Sequence, residues 1–212
     1  MIELKDVKTC IMGIQGSGKS ELGKSFTKNF KFPFYCVVNL DDIDDVDKNC
    51  YKIIMKKRNA LELEGICKEL IELSKRGKCD AVFIDEADML IPKIIEGLQK
   101  FPAMYDLFVN HRHYGVAVFF MTRRPQDLNP LVVESCEHKF VFALETSDNI
   151  TRKMKAIDSR LPEMMQSVTK KSHNFIHKQL GETPVLMKAI KLEAKKKNGK
   201  TRSKKVPSDD ED

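Results

Sequence analysis

The chain predicts an α/β fold, a mostly parallel central sheet with helices on both faces, and three observations predict it. Five apolar runs of strand length alternate with helical segments along the chain, the pattern of strands joined by crossover helices. The first run opens directly into Gly13-Ile14-Gln15-Gly16-Ser17-Gly18-Lys19-Ser20, a complete G-x-x-x-x-G-K-[ST] phosphate-binding loop. A later run, Ala81-Val82-Phe83-Ile84, ends in the acidic pair Asp85-Glu86, the form of a Walker B strand.

Taken in order, residues 8–12 form the first strand and 21–29 the helix that follows the loop. Residues 34–38 read as a second strand, ending in an acidic cluster of Asp41, Asp42, Asp44, Asp45 and Asp47. That cluster has no recognisable metal-ligand spacing and reads as a solvated loop. Residues 51–55 are a short extra strand at the sheet edge. From 60 to 76, apolar Leu63, Ile66, Cys67, Leu70, Ile71 and Leu73 fit an amphipathic helix that Gly77 stops. Prolines 92 and 102 break the helical stretch 89–111, giving two short helices. Strands at 115–121 and 138–144 follow, then helices at 148–157 and 161–168. A closing hairpin pairs 175–177 with 184–192 around Gly181-Glu182. Residues 1–192 thus make one domain. Residues 193–212, nearly devoid of apolar side chains and charged in blocks, read as a disordered tail. Its basic half suits a nucleic-acid arm or a nuclear address, its acidic end a partner contact, and the whole a solubilising segment.

Composition narrows the classes. With 32% charged and 42% hydrophobic residues the chain is an ordinary soluble globular protein, and its net charge of +6 is a mild bias towards a polyanion partner. The six cysteines form no C-x-x-C pair and mostly sit in apolar runs. They read as buried thiols of a reducing compartment, not a disulfide or zinc framework. His173 and His177 suit one face of a strand but lack a third ligand. No signal peptide is evident, and the longest strongly apolar run, 116–121, is far too short to span a bilayer.

The chemistry lies in the two motifs. The loop glycines let backbone N–H groups turn inward on an anion, and the first helical turn adds free N–H donors and the positive end of the helix dipole. Gly13, Gln15, Gly16, Ser17, Gly18, Lys19, Ser20 and Glu21 are therefore assigned to a nucleoside triphosphate, which the resemblance described below implies is ATP. Lys19 reaches the β- and γ-phosphates, and Ser20 with Asp85 holds Mg²⁺. Glu86 polarises the attacking water, so the pair favours hydrolysis over transfer to a second substrate. An acidic strand end alone is a weak signal; beside a complete phosphate loop it is a strong one. No Asn-Lys-x-Asp base-reading motif is present, which argues against a GTPase.

Between 110 and 142 stand Arg112-His113-Tyr114-Gly115, an apolar strand, Thr122-Arg123-Arg124-Pro125, Asp127-Leu128-Asn129-Pro130 and Ser135-Cys136. In type and order these resemble the HerA/FtsK superfamily, ring-forming P-loop ATPases that move DNA and include viral genome-packaging ATPases. The resemblance covers about the first 145 residues in motif order. It implies a RecA-like fold of the ASCE type, a catalytic Glu at position 86, an arginine finger at Arg112 acting on a neighbour's nucleotide, and a polar sensor after the next strand. Arg112 also reads as the polar end of a helix, favoured by the dipole. Cellular members usually carry Thr-Gln-Arg-Pro, and here Arg123 stands in place of Gln, a form similar to phage-type and Zot-like relatives. The sensor role is thereby left between Thr122 and Arg123.

What the resemblance implies is a Mg²⁺-dependent ATPase coupling hydrolysis to DNA translocation, with viral genome packaging as its leading role. The implied partners are double-stranded DNA, a homohexameric ring and a capsid or portal-vertex protein. The implied location is the cytoplasm or virion, or the nucleus of a eukaryotic host. A nucleotide-gated Zot-like assembly protein is the nearest rival. A small-molecule kinase shares the loop but should carry an arginine-rich lid.

Overall fold

Strand β1 (Lys8–Met12) is buried along its whole length because it lies inside an eight-stranded sheet of order β3-β2-β4-β5-β1-β6-β7-β8. The computed structural model describes residues 4–38 and 49–189. The acidic cluster at 41–47 and the tail 193–212 lie outside the described residues. The other strands are β2 (Pro33–Val37), β3 (Tyr51–Ile54), β4 (Ala81–Ile84), β5 (Ala117–Thr122), β6 (His138–Val141), β7 (Phe175–Gln179) and β8 (Val185–Met187). Strands β1 to β6 run parallel, and β7 and β8 close the sheet antiparallel. The expected edge strand is β3, and the closing hairpin is β7–β8.

The period-two alternation of the strands divides the core into two clusters. On one face Cys10, Met12, Val82, Ile84, Val118 and Phe120 meet nearly every helix. These are α2 (Ala60–Lys75), α3 (Ala87–Leu90), α4 (Ile95–Gln99), α5 (Pro102–Asn110), α6 (Pro130–Glu134), α7 (Asp148–Ile157) and α8 (Leu161–Met164). The opposite face carries Ile11, Tyr35, Phe83, Phe119 and Phe140 and packs against α1 (Lys19–Thr27) and the segment just after it. Aromatic rings fill that face: Phe83 and Phe119 stack with centroids 4.2 Å apart, and Phe30 meets both edge-on. All six cysteines are buried and free, as expected.

Between 87 and 110 there are three helices, not the two expected. Pro102 opens α5 at its first turn instead of interrupting a helix, because the N–H it lacks would have had no intrahelical partner there. The next two N–H groups, of Ala103 and Met104, donate to the buried carboxylate of Glu64 on α2, at 3.1 and 2.8 Å. Helix α2 itself starts on the side chain of Asn59, which accepts from Glu62 N. Helix α8 is shorter than expected, ending at Met164 in a 3₁₀ turn over Met165–Ser167. His173 and His177 do not share a strand face. His173 stands before β7 in left-handed backbone, whereas His177 lies on β7 with Nε2 3.0 Å from His138 Nδ1. Among the described residues no helix is long and apolar enough to cross a membrane.

Candidate active site

The C-terminal ends of β1, β4 and β5 bring the two motifs together. Strand β5 lies between β1 and β4, so the phosphate loop and the acidic pair are separated by two strand spacings, about 10 Å. The loop is anchored to its neighbours by main chain: Gly13 N donates to Thr122 O (3.0 Å) and Ile14 N to Ala143 O (2.9 Å). Gly16 and Gly18 take φ of +75° and +101°, the left-handed region that a side chain disfavours. This is the backbone curl the spacing predicts. Gln15 and Gly16 are exposed, Gly18 and Ser20 partly so, and Ser17 is buried with an Oγ that finds no hydrogen-bond partner.

Lys19 opens α1 and crosses to Asp85, Nζ to Oδ1 3.6 Å, with both side chains more than nine-tenths buried. Asp85 extends β4 by donating its N–H to Cys36 O, and its Oδ1 also accepts Glu86 N at 2.9 Å. Glu86 has φ +50° and ψ +41°, a strained conformation for a residue with a Cβ and one that collects at functional positions. Its carboxylate pairs with the guanidinium of Arg123, reaching over from the end of β5. Thr122 Oγ1 donates to Asp88 (2.7 Å) and accepts Arg124 N (3.0 Å). Glu21 points elsewhere, to Lys24 at 3.6 Å.

Arg112 is far from this cluster. It lies in the 3₁₀ turn His111–Tyr114 before β5, so the full length of that strand, about 20 Å, separates it from Thr122. Its side chain is 64% exposed and pairs with Glu137 on the N-terminal edge of the sheet. Glu137 also accepts Lys8 N at 2.6 Å. Sequence reasoning did not single out Asp88, which fixes Thr122. Its signal was a third carboxylate three residues beyond Asp85.

A nucleoside triphosphate brings most of a magnesium shell with it, so the protein need supply only one or two oxygen ligands. The Ser20 hydroxyl and the buried Asp85 carboxylate fit that demand. No cluster of three or more His, Cys, Asp or Glu suited to a metal exists among the described residues.

A parallel sheet with a phosphate loop after one strand, an Asp-Glu pair after another and a third strand between them defines a RecA-like P-loop nucleoside triphosphatase. Residues 9–144 match the family model described as "ATPase family associated with various cellular activities (AAA)". The chain belongs to that family and is an ATP hydrolase. No curated protein matches it in sequence. Among solved structures, B204, the DNA-packaging ATPase from Sulfolobus turreted icosahedral virus, is 20% identical with a TM-score of 0.74, over 89% of this chain and 100% of that one. The genome packaging NTPase B204 from Sulfolobus turreted icosahedral virus 2, with ATP-gammaS bound, is 21% identical with a TM-score of 0.71, over 87% and 98%. The conjugation coupling protein TcpA of pCW3, with ATPgS, is 17% identical with a TM-score of 0.55, over 89% of this chain and 61% of that one. The family and the fold are those of a P-loop ATPase, the class that the resemblance to the HerA/FtsK superfamily implies.

Proposed function

We propose that this ATPase is a Mg²⁺-dependent motor that couples hydrolysis to movement of double-stranded DNA, and that it serves viral genome packaging. The observation that carries this reading is the match in extent as well as fold: this chain overlays the whole of B204, a packaging NTPase. The site supplies the hydrolytic half. Lys19 and the loop N–H groups hold the phosphates, and Glu86 takes the proton of the attacking water. Ser20 and Asp85 would hold a Mg²⁺, which would supply positive charge to the phosphate oxygens. Hydrogen-bond accounting favours Arg123 over Thr122 as sensor, because the single hydroxyl proton of Thr122 is already given to Asp88. Arg123 is free to exchange Glu86 for a phosphate oxygen.

In this reading Arg112 acts in trans. Placed at the sheet edge opposite its own phosphate loop, it cannot reach its own nucleotide, and its exposed guanidinium suits a neighbour's site in a closed ring. The DNA-facing half draws on the net charge of +6 and on a surface groove where Arg152 and Lys153 stand with Gln126, Asn149 and the Lys93–Asp127 ion pair. The test is the ATPase rate with and without double-stranded DNA, together with particle mass in solution. DNA-stimulated hydrolysis by a ring is the expected result. Hydrolysis indifferent to DNA would overturn the translocation reading in favour of a nucleotide-gated assembly protein.

A further inference from the structure

Two sides of the phosphate loop are walled by protein, and so far only the β4–β5 side has a role. On the other side, beyond β6, the turn 168–174 leads into β7 and folds back onto the loop. A Cβ placed on Gly16 would stand 2.9 Å from Lys170 Cε and 3.4 Å from its Nζ. One placed on Gly18 would stand 3.6 Å from His173 Nδ1 and 3.2 Å from Phe142 Cε1. These are the two loop residues with left-handed backbone, the conformation that lets a loop turn its N–H groups towards an anion. The turn is firmly tied. Ser172 N donates to Thr169 Oγ1 (3.2 Å), Ser172 Oγ accepts the N–H groups of Thr169 (3.3 Å) and Asn174 (3.2 Å), and Ser172 Oγ donates to Thr169 O (3.0 Å). His173, at φ +51°, makes the reversal that brings the chain back to β7.

Charge explains what a lysine does there. Lys19 faces Asp85 and Arg123 faces Glu86, with Asp88 close by, so these five side chains carry one more negative charge than positive. A triphosphate of about four negative charges entering that site gains little net attraction from them. Lys170 makes no ion pair among the described residues and rests its exposed ammonium beside the loop.

We propose that Lys170 is a second phosphate-binding cation of the nucleotide site, contributed in cis from the β6–β7 side and held there by the Thr169–Ser172 turn. The proposal rests on the nucleotide-site reading above and extends it to a residue outside both motifs. The test is titration of the intact protein with a fluorescent ATP analogue, reading Kd at several salt concentrations. Lys170→Ala should weaken binding ~5–20-fold, Lys170→Glu should weaken it further, and Lys170→Arg should stay within ~3-fold of wild type. The Ala variant should also lose part of the salt dependence, and its KM should rise by more than its kcat falls. Circular dichroism establishes that each variant is folded. If Lys170→Ala and Lys170→Glu bind like wild type while Lys19→Ala does not, the nucleotide site stands and Lys170 has no part in it. If Lys19→Ala also binds like wild type, the nucleotide site itself is misplaced and the proposal falls with it.

Discussion

Removing the charge of Lys19 should unsettle the fold as well as the nucleotide site. Lys19 Nζ and Asp85 Oδ1 are 3.6 Å apart and their side chains are only 7% and 4% exposed. Lys19→Met keeps the length of the side chain but strands the carboxylate. Breaking a buried pair in this way costs about 3–5 kcal/mol. Asp85 Oδ1 retains one hydrogen bond, from Glu86 N, and the loop residues Gln15 and Gly16 open to solvent, so about 2–3 kcal/mol is expected. In a domain of this size that lowers Tm by about 4–12 °C. Adding Asp85→Asn removes the stranded charge, and the double variant should recover most of the loss without recovering nucleotide binding. The assay is a thermal melt followed by circular dichroism, with and without ATP and Mg²⁺. Saturating nucleotide at about 100 times its Kd should add about 2.7 kcal/mol to the wild type and nothing to either variant. A single variant melting within about 1 °C of wild type, or a double variant no more stable than the single, would refute the reasoning.

Glu86→Gln should bind ATP and lose turnover by at least about 100-fold, and Arg123→Ala should keep binding and lose at least about 10-fold, since both act on the transition state more than on bound substrate; single-turnover rates beside Kd check both. Arg112→Ala and Lys19→Ala subunits, each inactive, should regain activity when mixed one to one in co-assembled rings, where about a quarter of interfaces pair an intact finger with an intact loop; co-assembly without recovery would count against a trans finger. Glu64→Ala should cost about 1–3 kcal/mol in a denaturant melt, because it strips the buried cap from α5. Burial pushes the His177 ring down to about 4, and the neighbouring His138 pushes it the same way. The fold therefore holds it neutral, while the unfolded chain takes up the proton near pH 6.5. Stability should fall as pH drops from about 6.5 to 4 and then level off for this group; His177→Gln should flatten that part of a Tm-against-pH curve, and an unchanged slope would remove His177 as its source.

The parts of the site that were legible in the sequence are those set by local spacing. Gly13 to Ser20, between a strand and a helix, is a complete phosphate-loop motif, and beside it the run into Asp85-Glu86 reads as a strand with acids at its end. The unread parts depend on contacts between distant residues. Nothing in 89–111 says that Glu64, on another helix, takes up the N–H groups behind Pro102 and so turns an expected break into a helix start. Nothing near Thr122 says that its hydroxyl is spent on Asp88. The pairing of Arg123 with Glu86 needed the knowledge that β4 and β5 are neighbours, which alternation of strands and helices leaves open. His173 was misplaced because a spacing of four from His177 suits one strand face, whereas the backbone reverses at His173 before β7 begins.

In the mechanism proposed above, the left-handed backbone at Glu86 sets stability and activity against each other at one codon. Glycine is the residue best suited to φ +50°, so Glu86→Gly would relax the turn between β4 and α3 while deleting the base. A library of this protein sorted only for thermal resistance should enrich Gly at position 86, and the winners would be better folded and unable to hydrolyse ATP. Persistence of glutamate there under selection for turnover, and its loss under selection for folding alone, would show that the strain is kept by function.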